Sequence, residues 1–148
     1  MASIRDTILN ALVTRLASIA GWTAQLRGAV NVGGDVPVLA IVAMVNESKV
    51  LASSEVYSAT LQVEVLVQGR AEDADATLDA GNPYRYLDRL VVQVEKKVHA
   101  PDSWGIDPDF TDVVCTGHVV ADPDESNVVA AVVQLTFTYR HHYQDPAL

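Results

Sequence analysis

Between Tyr57 and Val67 every second side chain is apolar: Tyr57, Ala59, Leu61, Val63, Val65 and Val67. Ser58, Thr60, Gln62, Glu64 and Gln68 occupy the alternate row, which only Leu66 interrupts. A period of two over this length predicts one long strand, Glu55–Gln68, with a buried face and a wetter face. The same pattern returns near the end of the chain. Val129, Ala131, Val133, Leu135, Phe137 and Tyr139 form one row, with Gln134, Thr136, Thr138 and Arg140 on the other. It predicts a second long strand over Val128–Arg140.

Two stretches change period. From Ser3 to Ile19, apolar residues recur at three- and four-residue steps: Ile4, Ile8, Leu12, Leu16 and Ile19, widened by Leu9 and Val13. This is a helix stripe for packing on a sheet. Ser3 suits the N-cap, with Asp6 where a capping box has Glu, and Gly21 can end the helix. From Asn82 to Val98, the stripe is Leu87, Leu90, Val91, Val94 and Val98. Asn82 suits the N-cap and Pro83 the first helical position, while Lys96, Lys97 and His99 complement the dipole at the far end.

Shorter strands are expected at Trp22–Val30, Val38–Val45 and Asp112–Ala121. The second (VLAIVAMV) is nearly all apolar and predicts an interior strand covered on both faces. In the third, Val114, Thr116, His118 and Val120 make one row and Val113, Cys115, Gly117, Val119 and Ala121 the other. Asn46–Ser54 (NESKVLASS) reads as a mobile contact loop with Val50 and Leu51 at its centre. Gly69–Gly81 reads as a mobile loop or frayed turn whose acids Glu72, Asp73, Asp75 and Asp79 are solvated. The glycines of NVGGDVP break the chain, PDSWGIDPDF anchors through Trp104, Ile106 and Phe110, ADPDESN turns a hairpin, and the tail HHYQDPAL is mobile. The expected fold is a single α+β domain over residues 1–148. It has a mainly antiparallel or mixed sheet of four to five strands, with both helices packed on one face. The other face then carries Leu66, Val128, Ala130 and Val132, an apolar content that suits contact with another chain.

Charge narrows the function. A formal net charge of −9 and ten Lys and Arg against nineteen Asp and Glu disfavour a nucleic-acid grip or an anionic membrane surface. One cysteine, Cys115, excludes an intrachain disulfide and suits a reducing compartment. No apolar run is long enough to span a bilayer, and MASIRD does not open like a secretory signal. The glycine pair Gly33–Gly34 lacks the Lys-Ser/Thr of a phosphate loop. Asp122, Asp124 and Ser126 begin like a calcium loop, but Asn127 and Val133 stand where Gly and Glu are needed. His141 and His142 are adjacent and so face opposite ways in a strand, which is poor metal geometry. Neither a nucleophile–base pair nor a metal motif is visible, so no catalytic residue, cofactor or metal ligand is assigned.

The order of elements carries a resemblance. The helix IRDTILNALVTRLASI leads to Pro37 and an apolar strand. The long strand TLQVEVLVQGRAEDAD then runs into acid, the helix LDRLVVQVEKKV follows, and the strand VVAAVVQLTFTYRHHY closes the chain. This sequence of phrases resembles the tail terminator (tail-completion) proteins of long-tailed bacteriophages, the minor tail protein U type. The insert AGNPYRY before the second helix departs from the pattern. The resemblance implies a non-enzymatic virion protein, assembled in the host cytoplasm and placed at the head-proximal end of the tail. It implies a homo-oligomeric ring, a hexamer, that caps the tube of major tail protein, stops its polymerisation and meets a neck or head-completion protein. DNA passes through the ring without sequence-specific binding, no membrane is involved, and acidic groups on the lumen would keep that passage slippery. Candidate interface residues are Glu47, Lys49, Val50, Leu51, Arg70, Glu72, Asp73, Asp75 and Arg140. Two other readings stay open: another neck or head–tail connector protein, and a dimeric α+β ligand-binding domain.

Overall fold

A computed structural model describes residues 3–28, 38–53, 55–100, 111–121 and 128–142. Outside them lie the NVGGDVP break, the anchors Trp104, Ile106 and Phe110, the loop 122–127 and the tail beyond 142. The described elements run α1 (Ile4–Ala17), β1 (Trp22–Leu26), β2 (Val38–Leu51), β3 (Val56–Arg70), α2 (Pro83–Val98), β4 (Thr111–Ala121) and β5 (Val128–His142). The fold is α+β, and the five strands form one sheet in the order β1-β2-β3-β5-β4. All pairings are antiparallel except β1 with β2, which is parallel.

The long alternations set the sheet. Val65 pairs with Val133 and Val63 with Leu135, so the two buried rows lie side by side in register. Ala59, Leu61, Val63, Val65 and Val67 on β3 and every second residue from Val129 to Tyr139 on β5 are buried, as are Val38, Ala40 and Val42 on β2. They form one core with Ile4, Ile8, Leu12 and Leu16 of α1 and Tyr86, Leu87, Leu90, Val91, Val94 and Val98 of α2. Burial of each such Val or Leu contributes roughly 1.5–3 kcal/mol. The helix stripes predicted from the sequence are therefore core stripes. Arg15 ties the helices together: its guanidinium donates to the carbonyls of Lys97 (3.0 Å) in the last turn of α2 and of Ala100 (3.2 Å) just beyond it.

The caps form as expected. Ser3 Oγ accepts from the Asp6 amide at 3.1 Å, and Asn82 Oδ1 accepts from the Tyr84 amide at 2.9 Å. α1 ends at Ala17, earlier than its apolar stripe, and Gly21 at φ +83° turns the chain into β1. Gly69 is required for a different reason. A Cβ there would lie 2.9 Å from Cε2 of Tyr86 and 3.0 Å from Cδ1 of Leu90, so the missing side chain lets α2 seat on β3.

Three expectations change. β2 is an inner strand only from Val38 to Val42, and it is not covered on both faces. Leu39, Ile41 and Ala43 are half-buried, and Met44 and Val45 are exposed. Asn46–Leu51 is strand rather than loop, paired with Tyr57–Gln62 of β3 in a hairpin arm. In β4 the pairing shifts between Cys115 and Gly117, so His118 pairs with Val133 and Val120 with Ala131, and the two rows read from the sequence exchange there. On the sheet's second row, Ile41, Leu66 and Val132 are cross-strand neighbours and all half-buried.

Candidate functional site

The candidate residues fall into two groups at opposite ends of β3. Glu47, Lys49, Val50, Leu51 and Arg140 lie at the arm end, where Val50 and Arg140 both pair with Ser58. Arg70, Glu72, Asp73 and Asp75 lie at the turn end, where β3 passes into a single 3-10 turn, Ala71–Asp73. At about 3.3 Å per residue, the length of β3 puts the ends roughly 45 Å apart. They do not make one site.

At the arm end a bulge decides the geometry. Met44 pairs with Val63 and Asn46 with Gln62, so Val45 is the extra residue. Beyond it the parity of β2 changes, and Glu47 comes opposite the buried Leu61, which in turn pairs with Phe137. Its side chain is only 9% exposed. It accepts from the Tyr139 hydroxyl at 2.8 Å and lies 3.5 Å from Arg5 Nη1 and 3.4 Å from Lys49 Nζ. Burial first, and then the bond to Glu47, push the Tyr139 hydroxyl well above its ordinary pKa, so it stays a donor. Glu47 is thus not a free interface acid but a clamp that aligns the arm with α1 and β5. Past the clamp, Val50 and Leu51 stand 69% and 53% exposed.

At the turn end Glu72, Asp73 and Asp75 are exposed, as expected of solvated acids, and Asp79 is the exception. Asp79 is 1% exposed and bonded twice to Arg89, Oδ1 to Nε at 3.0 Å and Oδ2 to Nη2 at 2.9 Å. It also accepts from the Asp75 amide at 2.8 Å. The Arg89 bonds hold its carboxyl below the ordinary carboxylate range against the cost of burial. Asp75 is held low by the Leu78 and Thr77 amides, which both donate to its Oδ1 at 2.7 Å. Arg89 also lies over the Tyr86 ring, 5.3 Å from its centroid. Arg70 and Glu72 make a loose 3.9 Å pair, and Leu78 is 70% exposed on the turn.

Sequence reasoning named neither Asp79 nor Tyr139, Arg5 and Arg89 as site-forming groups. Asp79 had a usable signal: Asp75 and Asp79 are spaced to bracket a tight turn just before the Asn82–Pro83 helix start. Among the described residues, no cluster of three or more His, Cys, Asp or Glu side chains is arranged to hold a metal ion. A shallow depression of about 150 Å³ lies on the second face, between Val45, Gln62, Glu64, Gln134 and Thr136. No helix among the described residues is long and apolar enough to cross a membrane. The two ends present unlike surfaces, an apolar-tipped strand arm and an acidic turn. Neither the models of known protein families nor the curated proteins compared with the chain match it.

Proposed function

We propose that this chain is a structural assembly subunit of the phage tail terminator kind, one that closes into a hexameric ring on the tail tube. In this role it stops polymerisation of the major tail protein and offers a joining surface to the neck. It acts without catalysis or a cofactor. The observation that carries the reading is the placement of exposed apolar side chains. Half of the large ones among the described residues, Met44, Val45, Val50 and Leu51, lie on one arm. Such clustering marks protein–protein contact. The order of helices, long strands and acidic turn, which resembles that of tail terminators, suggests the particular role. A ring needs two different patches per subunit, and the unlike ends of β3 supply them. DNA would pass the acidic groups Glu72, Asp73 and Asp75 if that end faces the lumen.

The test is mass in solution by light scattering over a concentration series, followed by imaging and addition to growing tail tubes. A species near six times the 15.9 kDa chain, ring-shaped and able to arrest tube growth, is expected. A concentration-independent dimer would instead favour the ligand-binding domain. Rings that bind a head connector and ignore the tube would favour a neck protein.

A further inference from the structure

β2 has two kinds of neighbour. From Val38 to Val42 it is flanked by β1 and β3. From Ala43 to Leu51 only the β3 side is paired among the described residues. The last bond on the other side is from the Arg27 amide to the Val42 carbonyl, at 2.8 Å. This leaves about 30 Å of strand edge whose amides and carbonyls face no strand among the described residues. Exposed edges are ordinarily short, bent away or charged, because they template pairing with another chain. Here the blunting devices are one bulge at Val45, the inward-turned charge of Glu47 and one lysine, Lys49, and the tip beyond them carries Val50 and Leu51. The clamp at Glu47 also holds the arm in one alignment, which lowers the ordering cost of pairing.

The complement of an unpaired strand edge is another strand edge, donor against acceptor. The sheet has a second boundary on its opposite side: β4, Thr111–Ala121, which pairs with β5 and with no other strand among the described residues. At 11 residues it is long enough to cover the open stretch of the arm. Arm-to-arm pairing about a two-fold would close a dimer and leave β4 unused. Arm-to-β4 pairing uses both edges, and each subunit gives one and receives one.

We infer that the Ala43–Leu51 edge of one copy pairs with the β4 edge of the next copy, so that the sheet continues from subunit to subunit. The choice of a second copy as the partner rests on the assembly reading above.

The chain's single cysteine supplies the test, since Cys115 lies on β4. Within one chain β3 and β5 separate β2 from β4, three strand spacings or roughly 14 Å. A disulfide needs Cα atoms within about 7 Å, so an arm cysteine can reach Cys115 only in another copy. Cysteine is placed singly at Met44, Val45, Asn46, Ser48, Lys49 and Val50, with circular dichroism to check the fold. Each variant is oxidised mildly, with and without Cys115→Ala, and run beside light scattering. The expected result is a disulfide ladder extending past the dimer at one or more positions and lost with Cys115→Ala. Oligomers by scattering with no ladder at any position would overturn the edge pairing and leave the ring reading standing. Cross-links that survive Cys115→Ala would show arms meeting arms and overturn it too. A ladder without a six-fold species would uphold the pairing and overturn the ring. A monomer at every concentration, with no ladder, would overturn both.

Discussion

At the arm end Glu47 is held by Arg5 and Tyr139, partners 42 and 92 residues away in sequence, whereas at the turn end Asp79 is held by Arg89, ten residues away. Both are carboxylates removed from water and satisfied by several donors. The turn clamp closes a short loop and needs only the turn and α2. The arm clamp needs α1, β2 and β5 already in place. Loop-closure entropy makes the first easy and the second a late product of folding. The alignment of the arm, which carries the exposed apolar tip, therefore depends on α1 and β5. The turn can be set before it.

The largest expected break is neither clamp but the rung that joins Glu47 to the core. Phe137→Ala, at a fully buried position opposite Leu61, is expected to cost about 3–5 kcal/mol, read by urea denaturation. Hydrogen exchange should rise at the arm end before the turn end; equal loosening of both would contradict the separation drawn here.

Next comes Asp79→Ala, expected to cost about 2 kcal/mol because Arg89 and the Asp75 amide lose their acceptor. Its pH dependence has a definite sign. A folded-state pKa below 3.8 means that the contribution is complete above 3.8 and is lost as pH falls through the folded value. Asp79→Asn should flatten the acid limb of the stability profile.

Tyr139→Phe is smaller, about 1–1.5 kcal/mol, and its signature lies at the other extreme of pH. The hydroxyl is raised above 10.0, so its contribution is complete below 10.0 and is lost as pH climbs above it. Tyr86, raised by burial and then by Asp73, adds a second alkaline source at the turn end. Tyr139→Phe should therefore remove part of the alkaline loss, and proteolysis of the arm should increase while the turn stays protected. The smallest effect is expected from Glu72→Ala, which removes a 3.9 Å pair on the exposed turn; the thermal midpoint should not move measurably.

Much of the fold was legible because burial here follows strict periods. The β3 and β5 rows, the α1 and α2 stripes and the Ser3 and Asn82 caps all follow from local pattern. The arm was not legible. Asn-Glu-Ser-Lys has weak strand propensity, and the extra residue at Val45 interrupts the alternation just where the strand continues. Glu47 then looks like a loop acid, because its partners Arg5 and Tyr139 are far away in the chain. Asp79 was misread for a related reason. It stands among three other acids, and only the packed turn reveals which one is turned inward to Arg89. The exchange of rows in β4 at Thr116 has the same origin as the arm: one inserted residue, invisible to a count by twos.

The bulge at Val45 has a consequence for how such a molecule can vary. Removing that residue would leave the pairing of Met44 with Val63, Asn46 with Gln62 and Glu47 with Leu61 unchanged. It would, however, take out the local bend and extra twist that a bulge imposes on a strand. The aim of the arm is thus set by a single codon that the core does not read. Insertion or deletion at this point gives a chain a way to re-aim the exposed tip of the arm without renegotiating the fold that carries it.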